Sequence, residues 1–338
     1  MRAEASVEKI YQRKNEHLTL CLEHPVQSMH SPGWERFRFV HQALPELDLA
    51  EVDLSSCLFD KPLSAPLLLG AITGGTPEAG KINARLAKAA EKMGLGMIVG
   101  SQRIALDHPE TAPSFRIVRE EAPNIPLGAN LGASQLHGDG LEDCLKAIAM
   151  IEADFLVLHL NPLQEAIQPE GKPRFKGILS KIARLCARLQ VPVIAKEVGN
   201  GIDPATAEKL FQAGVAMVDV AGSGGTSWAR VEGYRSDPAL AEAFLDWGLP
   251  TAEAVRRLKG NPVIASGGIR DGVEVAKALA LGAQLASLAL PLLAPASRSE
   301  AEVVALLERL ERQLRIAMFC AGAKDLASLR QIELERVP

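Results

Sequence analysis

Two short segments, Ser223-Gly224-Gly225-Thr226 and Ser266-Gly267-Gly268-Ile269-Arg270, each follow an apolar run. Paired glycines let backbone N–H groups approach an anion closely and tolerate positive φ. Both segments therefore read as phosphate-binding turns, the alternative being plain tight turns. Lys196 closes the apolar run Val193–Lys196. Buried lysines are rare unless paired. This one would either stabilise a reduced, anionic cofactor ring or pair structurally with a neighbour such as Glu197. A third cluster, His159, Asn161, Gln164 and Glu165, lies in FLVLHLNPLQE. One carboxylate suffices for Mg²⁺ when phosphate oxygens and waters complete its shell. Arg13, Lys14 and Arg103 are the kinds of cation a diphosphate needs, Arg for bidentate contact and Lys as a point charge. Taken alone, His159 reads as a core histidine, Glu165 as a helix-start carboxylate, and Arg13-Lys14 as ordinary surface charge.

These groups need a scaffold that gathers them. Eight apolar runs recur: Leu67–Ile72, Met97–Gly100, Leu127–Leu131, Phe155–Leu160, Val193–Lys196, Met217–Ala221, Val263–Ser266 and Leu285–Leu290. Most are followed by a helical pattern, such as Glu78–Met93, or by Asp203-Pro204 as N-cap and first-turn proline. Strand–helix alternation predicts a parallel sheet, and eight units predict a (β/α)8 TIM barrel. Such barrels do their chemistry at strand C-terminal ends, where this chain places its polar tips. Residues 1–60 have another texture and read as an N-terminal arm or cap, with a plug of the barrel bottom as the alternative. Residues 61–338 read as the barrel with a C-terminal helical tail, Arg298–Cys320 being a helix packed outside it.

Composition narrows the function classes. The formal net charge of −4 gives no global attraction to nucleic acid. Five scattered cysteines without a CxxC pair favour a reduced, cytoplasmic setting over a disulfide framework. No run reaches the roughly 18 apolar residues of a membrane span.

In chain order, Arg13-Lys14-Asn15-Glu16-His17, Ala71-Ile72-Thr73-Gly74-Gly75, Gly100-Ser101-Gln102-Arg103, Asn130-Leu131-Gly132, His159-Leu160-Asn161 with Gln164-Glu165, Lys196-Glu197 and Ser223-Gly224-Gly225-Thr226 cover nearly the whole chain. This set resembles the type 2 isopentenyl-diphosphate isomerase family. The resemblance implies an FMN-dependent barrel that interconverts isopentenyl and dimethylallyl diphosphate, with Mg²⁺ and with flavin kept reduced by NADPH or another reductant. It implies FMN contacts from Ala71, Ile72, Thr73, Ser101, Asn130, Lys196, Ser223, Thr226, Gly268, Ile269, Arg270, Ala289 and Leu290. It implies substrate contacts from Arg13, Lys14, Ser101, Gln102, Arg103, His159, Asn161 and Gln164, and Mg²⁺ at Glu165. Gln164, His159 and Lys196 are its candidate catalytic residues. A homotetramer or homo-octamer is the implied assembly. Two positions depart from the family pattern: Ile72 replaces a frequent Met, and Leu290 replaces a usually smaller or basic residue.

The implied reaction adds a proton at one alkene carbon and removes one at another, without net oxidation. No paired carboxylates or Cys–Glu arrangement stand out in the sequence for that task, and an amide such as Gln164 is a poor acid or base. The expectation is that the reduced flavin itself shuttles the proton while the protein binds and orients. The main rival is an FMN-dependent 2-hydroxy-acid oxidase or dehydrogenase. That chemistry usually wants a histidine base in the loop after the sixth strand, and AGSGGTSWARVE has none. A flavin-free phosphosugar barrel would explain the glycine pairs but not Asn130, Lys196 and ITGG together. A non-catalytic phosphate binder is the remaining alternative.

Overall fold

The computed structural model describes residues 2–337, and the side chains of all of these but residues 2–7, 9 and 10. Eight parallel strands close into a barrel in sequential order. They are β1 (Leu67–Leu69), β2 (Gly96–Ile98), β3 (Leu127–Gly132), β4 (Phe155–His159), β5 (Val193–Lys196), β6 (Met217–Asp219), β7 (Val263–Ser266) and β8 (Leu285–Leu288), with β8 pairing back to β1. Each predicted run overlaps its strand; β2 starts one residue earlier, at Gly96, and β3 runs one residue further, to Gly132. Several runs overshoot at the C-terminal tip, because the polar tips leave the ladder to form loops. The last run ends as strand at Leu288, and Leu290 opens a helix with Pro291 in its first turn.

Six helices matter below: α1 (Arg2–Glu23), α2 (Pro77–Met93), α3 (Pro162–Ile167), α4 (Trp228–Arg235), α5 (Leu290–Arg298) and α6 (Glu300–Cys320). The start of α2 is fixed by Thr76, whose side chain accepts the Ala79 N–H, and its end by Gly94 in the left-handed region. Helix α6, capped by Ser299, packs on α2, α5 and a neighbouring outer helix, Gly272–Ala280. Two helices differ from the sequence reading. The tracts after the fourth and sixth runs read as loops, yet they contain α3 and α4. Both are short, six and eight residues, so neither sustains a helical apolar stripe over enough turns to stand out. Pro162 and the Ser227 cap start them instead.

Residues 1–60 do two things. Part of α1 lies at the mouth of the barrel. The hairpin formed by Ser56–Leu58 and Lys61–Leu63 lies at the other end. There Leu58 and Leu63 join Leu68, Ile98, Phe155, Val157, Ile194, Met217, Ile264 and Leu285 in one buried cluster. That cluster is the barrel interior. A separate, larger cluster fills the layer between strands and helices.

Strand periodicity turns this apolar interior into a site. Two residues beyond the inward-facing Leu68, Ile98, Val157, Ile194, Met217, Ile264 and Leu285 come Gly70, Gly100, His159, Lys196, Asp219, Ser266 and Ser287, while Asn130 occupies the same level on β3. Side chains on one strand face alternate with period two, so the second set forms a polar ring directly above the apolar one.

Candidate active site

The polar ring floors a cleft of 1610 Å³ at the C-terminal ends of the strands. Gly70, Gly100, Asn130, His159, Lys196, Ser266 and Ser287 all line it. Arg13 and Lys14 of α1 and Trp228 of α4 line it from above. So do Ala71, Ile72, Thr73, Ser101, Arg103, Asn161, Gln164, Glu165, Thr226, Gly268, Ile269, Arg270, Ala289 and Leu290. The structure thus brings most of the sequence-nominated residues to one cavity.

Two nominated side chains stand apart. Gln102 is fully buried; its amide donates to Ala147 O and accepts the Asn130 N–H, so it braces β3 from behind. Ser223 is also buried away from the cleft surface, and its Oγ has no protein partner.

The glycine turns form a matched pair. An added Cβ on Gly225 would sit 2.5 Å from Gly268 N, and one on Gly268 would sit 2.6 Å from Gly224 O. Arg270 bridges the two turns, donating to Gly224 O at 2.9 Å and Gly268 O at 3.1 Å. Thr251, wholly buried, ties Ser223 O and Gly267 O together from below. The result is a narrow cradle with glycine backbone at its surface, suited to a phosphate monoester.

The floor is electrostatically biased. Asn130 Nδ2 donates to Val99 O, so its Oδ1 must accept from His159 Nδ1 at 3.0 Å. That fixes the Nδ1–H tautomer and leaves Nε2 as an acceptor. Burial, with Lys196 and Lys14 nearby, pushes the His159 imidazole down to about 3, so it stays neutral. Asp219 neighbours Lys196 in the strand pairing and accepts from Ser266 Oγ at 2.5 Å. Burial raises its pKa against the opposing Lys196 and Ser266 contacts. Lys196 Nζ donates to Glu197 O at 2.6 Å, whereas the Glu197 carboxylate accepts from the N–H groups of Val198, Gly199 and Asn200. The Lys196–Glu197 ion pair considered from the sequence does not form.

A second network lies beside α3. Glu165 is buried and accepts from Gln135 Nε2 at 2.9 Å, Asn161 Nδ2 at 3.3 Å and the Lys172 N–H at 2.7 Å. Gln164 accepts from Asn161 and donates to Glu232 at 3.1 Å. Glu232 was not apparent from the sequence. It is fully buried and also meets His17 at 3.1 Å and Arg235 at 2.5 Å. Burial alone would raise its carboxyl, but His17, Gln164 and Arg235 outweigh that and hold it below the ordinary range.

A family model described as FMN-dependent dehydrogenase matches residues 161–336. The isopentenyl-diphosphate delta-isomerase of Nostoc sp. is 51% identical over 328 residues, covering 94% of this chain and 93% of the relative. The enzyme of that name from Stutzerimonas stutzeri is 49% identical over 340 residues, covering 97% of this chain and 98% of the relative. The chain belongs to the isopentenyl-diphosphate delta-isomerase family. Among solved structures, a lactate oxidase described as putative, from Pediococcus acidilactici, superposes with a TM-score of 0.70 at 17% identity, covering 99% of this chain and 94% of that one. A mandelate oxidase carrying an FMN adduct gives 0.65 at 20% identity, covering 91% and 90%. At that identity the likeness is one of fold, and it agrees with the closed eight-stranded barrel.

Within the isomerase family frame, the residues the sequence reading missed are His17, Trp228, Glu232 and Arg235. His17 and Trp228 meet edge to face at 5.2 Å at the cleft mouth. The available signal was weak: Glu232 and Arg235 are three apart on a helix opened by Ser227, a spacing that puts them on one face.

Proposed function

We propose that this chain interconverts isopentenyl and dimethylallyl diphosphate at the barrel mouth, with FMN held by the paired glycine turns. The observation that carries the reading is the joining, in one cleft, of paired glycine turns, the apolar side chains of Ile72, Ile269 and Leu290, and a separate cationic rim of Arg13, Lys14 and Arg103. The residues fit the flavin. Glycine at 225 and 268 lets the two turns pack backbone to backbone, Arg270 spans the cradle, and the buried hydroxyl of Ser101, on the cleft lining, lacks a partner. Thr226, Ile269, Ala289 and Leu290 would border it, as would Ala71–Thr73, Asn130 and Lys196. Reduced FMN supplies an acid–base group that works beside an apolar alkene without net oxidation.

The chain's own residues bind, orient and exclude water. Arg13, Lys14 and Arg103 would take the diphosphate, although Arg103 also pairs with Asp143 at 2.7 Å. Neutral His159 offers Nε2 as a hydrogen-bond acceptor and cannot act as an acid near neutral pH. Gln164 is held between Asn161 and the ionised Glu232, so its amide has one orientation. Glu165 and Asn161, whose Oδ1 is buried without a partner, fit Mg²⁺ shared with the diphosphate. Among the described residues no group of three or more His, Cys, Asp and Glu side chains could hold a metal. The ion would therefore depend on substrate oxygens. NADPH or another reductant would reduce the flavin, and a cytoplasmic homotetramer or homo-octamer is the assembly expected.

The deciding experiment follows isopentenyl diphosphate by proton NMR with the protein, FMN, Mg²⁺ and a reductant. Many turnovers per reduced flavin are expected. One product per flavin, or full turnover with oxidised FMN in air, would refute the reading. The hydroxy-acid oxidase alternative fits the cleft less well. The loop after β6 carries no histidine, and His159 is too weakly basic to take a proton at neutral pH.

Two further results are expected here. Burial, with Arg13 beside it, lowers the Lys14 ammonium from 10.5 to about 7 in the ligand-free protein. A bound diphosphate favours the charged form and raises that value again. Above pH 7 binding must therefore take up a proton, and kcat/KM should fall about tenfold per pH unit while kcat stays flatter. Lys14→Arg, always charged, should remove that alkaline limb. A limb unchanged in the variant would assign it elsewhere. Separately, Lys196→Met should lower the reduction potential of bound FMN, because a cation at about 4 Å contributes on the order of 4 kcal/mol at an effective dielectric of 20. A normal potential with a lower melting temperature would make Lys196 a structural residue.

A further inference from the structure

Arg235 closes α4 and holds three carboxylates from three parts of the chain. Its Nε meets Glu16 of α1 at 3.1 Å, its Nη2 meets Glu170 of the loop after β4 at 3.0 Å, and its Nη1 meets Glu232 at 2.5 Å. The Arg235 side chain is 7% exposed, against 39% for Glu16 and 48% for Glu170. The guanidinium is thus sheltered while two of its partners reach it from the rim.

We propose that Arg235 is a positioning residue that latches α1 and the loop after β4 onto α4, and so holds Arg13 and Lys14 over the cleft. Arg13, Glu16 and His17 stand three and four residues apart, which puts them on one helical face, and all three line the cleft with Lys14. The chain beyond α1 is already fastened. Ser28 N donates to Gly225 O, and Gln27 bridges Thr226. That anchor fixes only the C-terminal end of α1. Glu16, about one turn from Arg13, adds a fixed point beside the His17 contacts to Glu232 and Trp228, and so sets where the cations fall. A planar fork with five donors can serve three carboxylates at once, and an ammonium cannot reproduce that geometry.

This inference rests on the reading that Arg13 and Lys14 bind the diphosphate, and the experiment separates the two. Removing Arg235 would strand the fully buried Glu232 carboxylate, so the informative variants are Glu16→Gln and Glu170→Gln in the full, FMN-loaded, dithionite-reduced protein. Each should raise KM for isopentenyl diphosphate by about threefold, as loss of one part-exposed ion pair allows. The double variant should raise KM by about tenfold, with kcat within about twofold. FMN content should not change, and amide hydrogen exchange across residues 12–20 should quicken. Arg13→Ala is the control and should raise KM strongly. Unchanged KM and unchanged exchange in the double variant, with KM raised in Arg13→Ala, would overturn the latch. A fall in kcat at constant KM would overturn it too, by placing the effect at Glu232 and Gln164. Faster exchange with KM unmoved by Arg13→Ala would keep the latch and overturn the diphosphate reading.

Discussion

Gly225→Ala should give a folded barrel that no longer retains FMN. Gly225 does not sit in the left-handed region, so alanine meets no backbone strain there. The obstacle is the facing turn. The new methyl would lie 2.5 Å from Gly268 N and 3.1 Å from Gly267 C. Backbone cannot swing aside as a flexible side chain does, so the two turns must part by about 1 Å to restore van der Waals contact. Overpacking of this kind costs about 1–3 kcal/mol of stability. The larger effect falls on the ligand. If parting the turns misaligns two N–H groups aimed at a phosphate, each charge-assisted bond lost is worth about 1.5–3 kcal/mol. FMN affinity should then drop on the order of a hundredfold to ten-thousandfold. Flavin absorbance of the purified protein and a fluorescence titration measure this directly. A variant that stays yellow and merely melts earlier would show that the paired turns are structural and that the phosphate binds elsewhere.

The same site shows what a sequence can and cannot display. The barrel was legible because each strand is a short apolar run closed by a polar tip, and those tips are where the fold must put its chemistry. The paired glycine turns were legible because only glycine lets two backbones pack this closely. Contacts that depend on facing side chains were not legible. Gln102 stands in a motif with Ser101 and Arg103, both of which line the cleft, but its own side chain turns back towards Ala147. Glu232 looks like any carboxylate on a short helix until His17, Gln164 and Arg235, from three distant segments, converge on it. Helix α1 was missed for a related reason. Its residues 12–17, QRKNEH, are all polar, because one face there looks into a polar cleft rather than a core.

Glu165→Gln should separate a metal ligand from a structural acceptor. The wild-type carboxylate receives three donors, from Gln135, Asn161 and Lys172. An ionised carboxylate has about four acceptor sites, which leaves roughly one for a cation reaching it from the cleft. Glutamine has the same shape but offers an NH₂ where one oxygen stood, so at least one donor must face a donor. That mismatch costs about 1–3 kcal/mol locally and will lower the melting temperature under either reading. Stability alone is therefore uninformative. Mg²⁺ dependence is the discriminating measurement. If Glu165 holds the ion, losing its charge removes a protein anion from a site otherwise completed by substrate oxygens and waters. Half-saturation for Mg²⁺ should rise, and kcat/KM should fall on the order of a hundredfold at fixed metal, comparable to or beyond the loss of a supporting outer-shell group. FMN content should stay normal, because the glycine turns lie on β6 and β7 and α3 follows β4. If Glu165 only organises the loop, the Mg²⁺ titration will superpose on that of the unmodified protein after correction for folded fraction. The orphaned Oδ1 of Asn161 favours the first outcome. A buried carbonyl oxygen without a donor, beside a carboxylate with one site left, is a geometry that a hard cation satisfies.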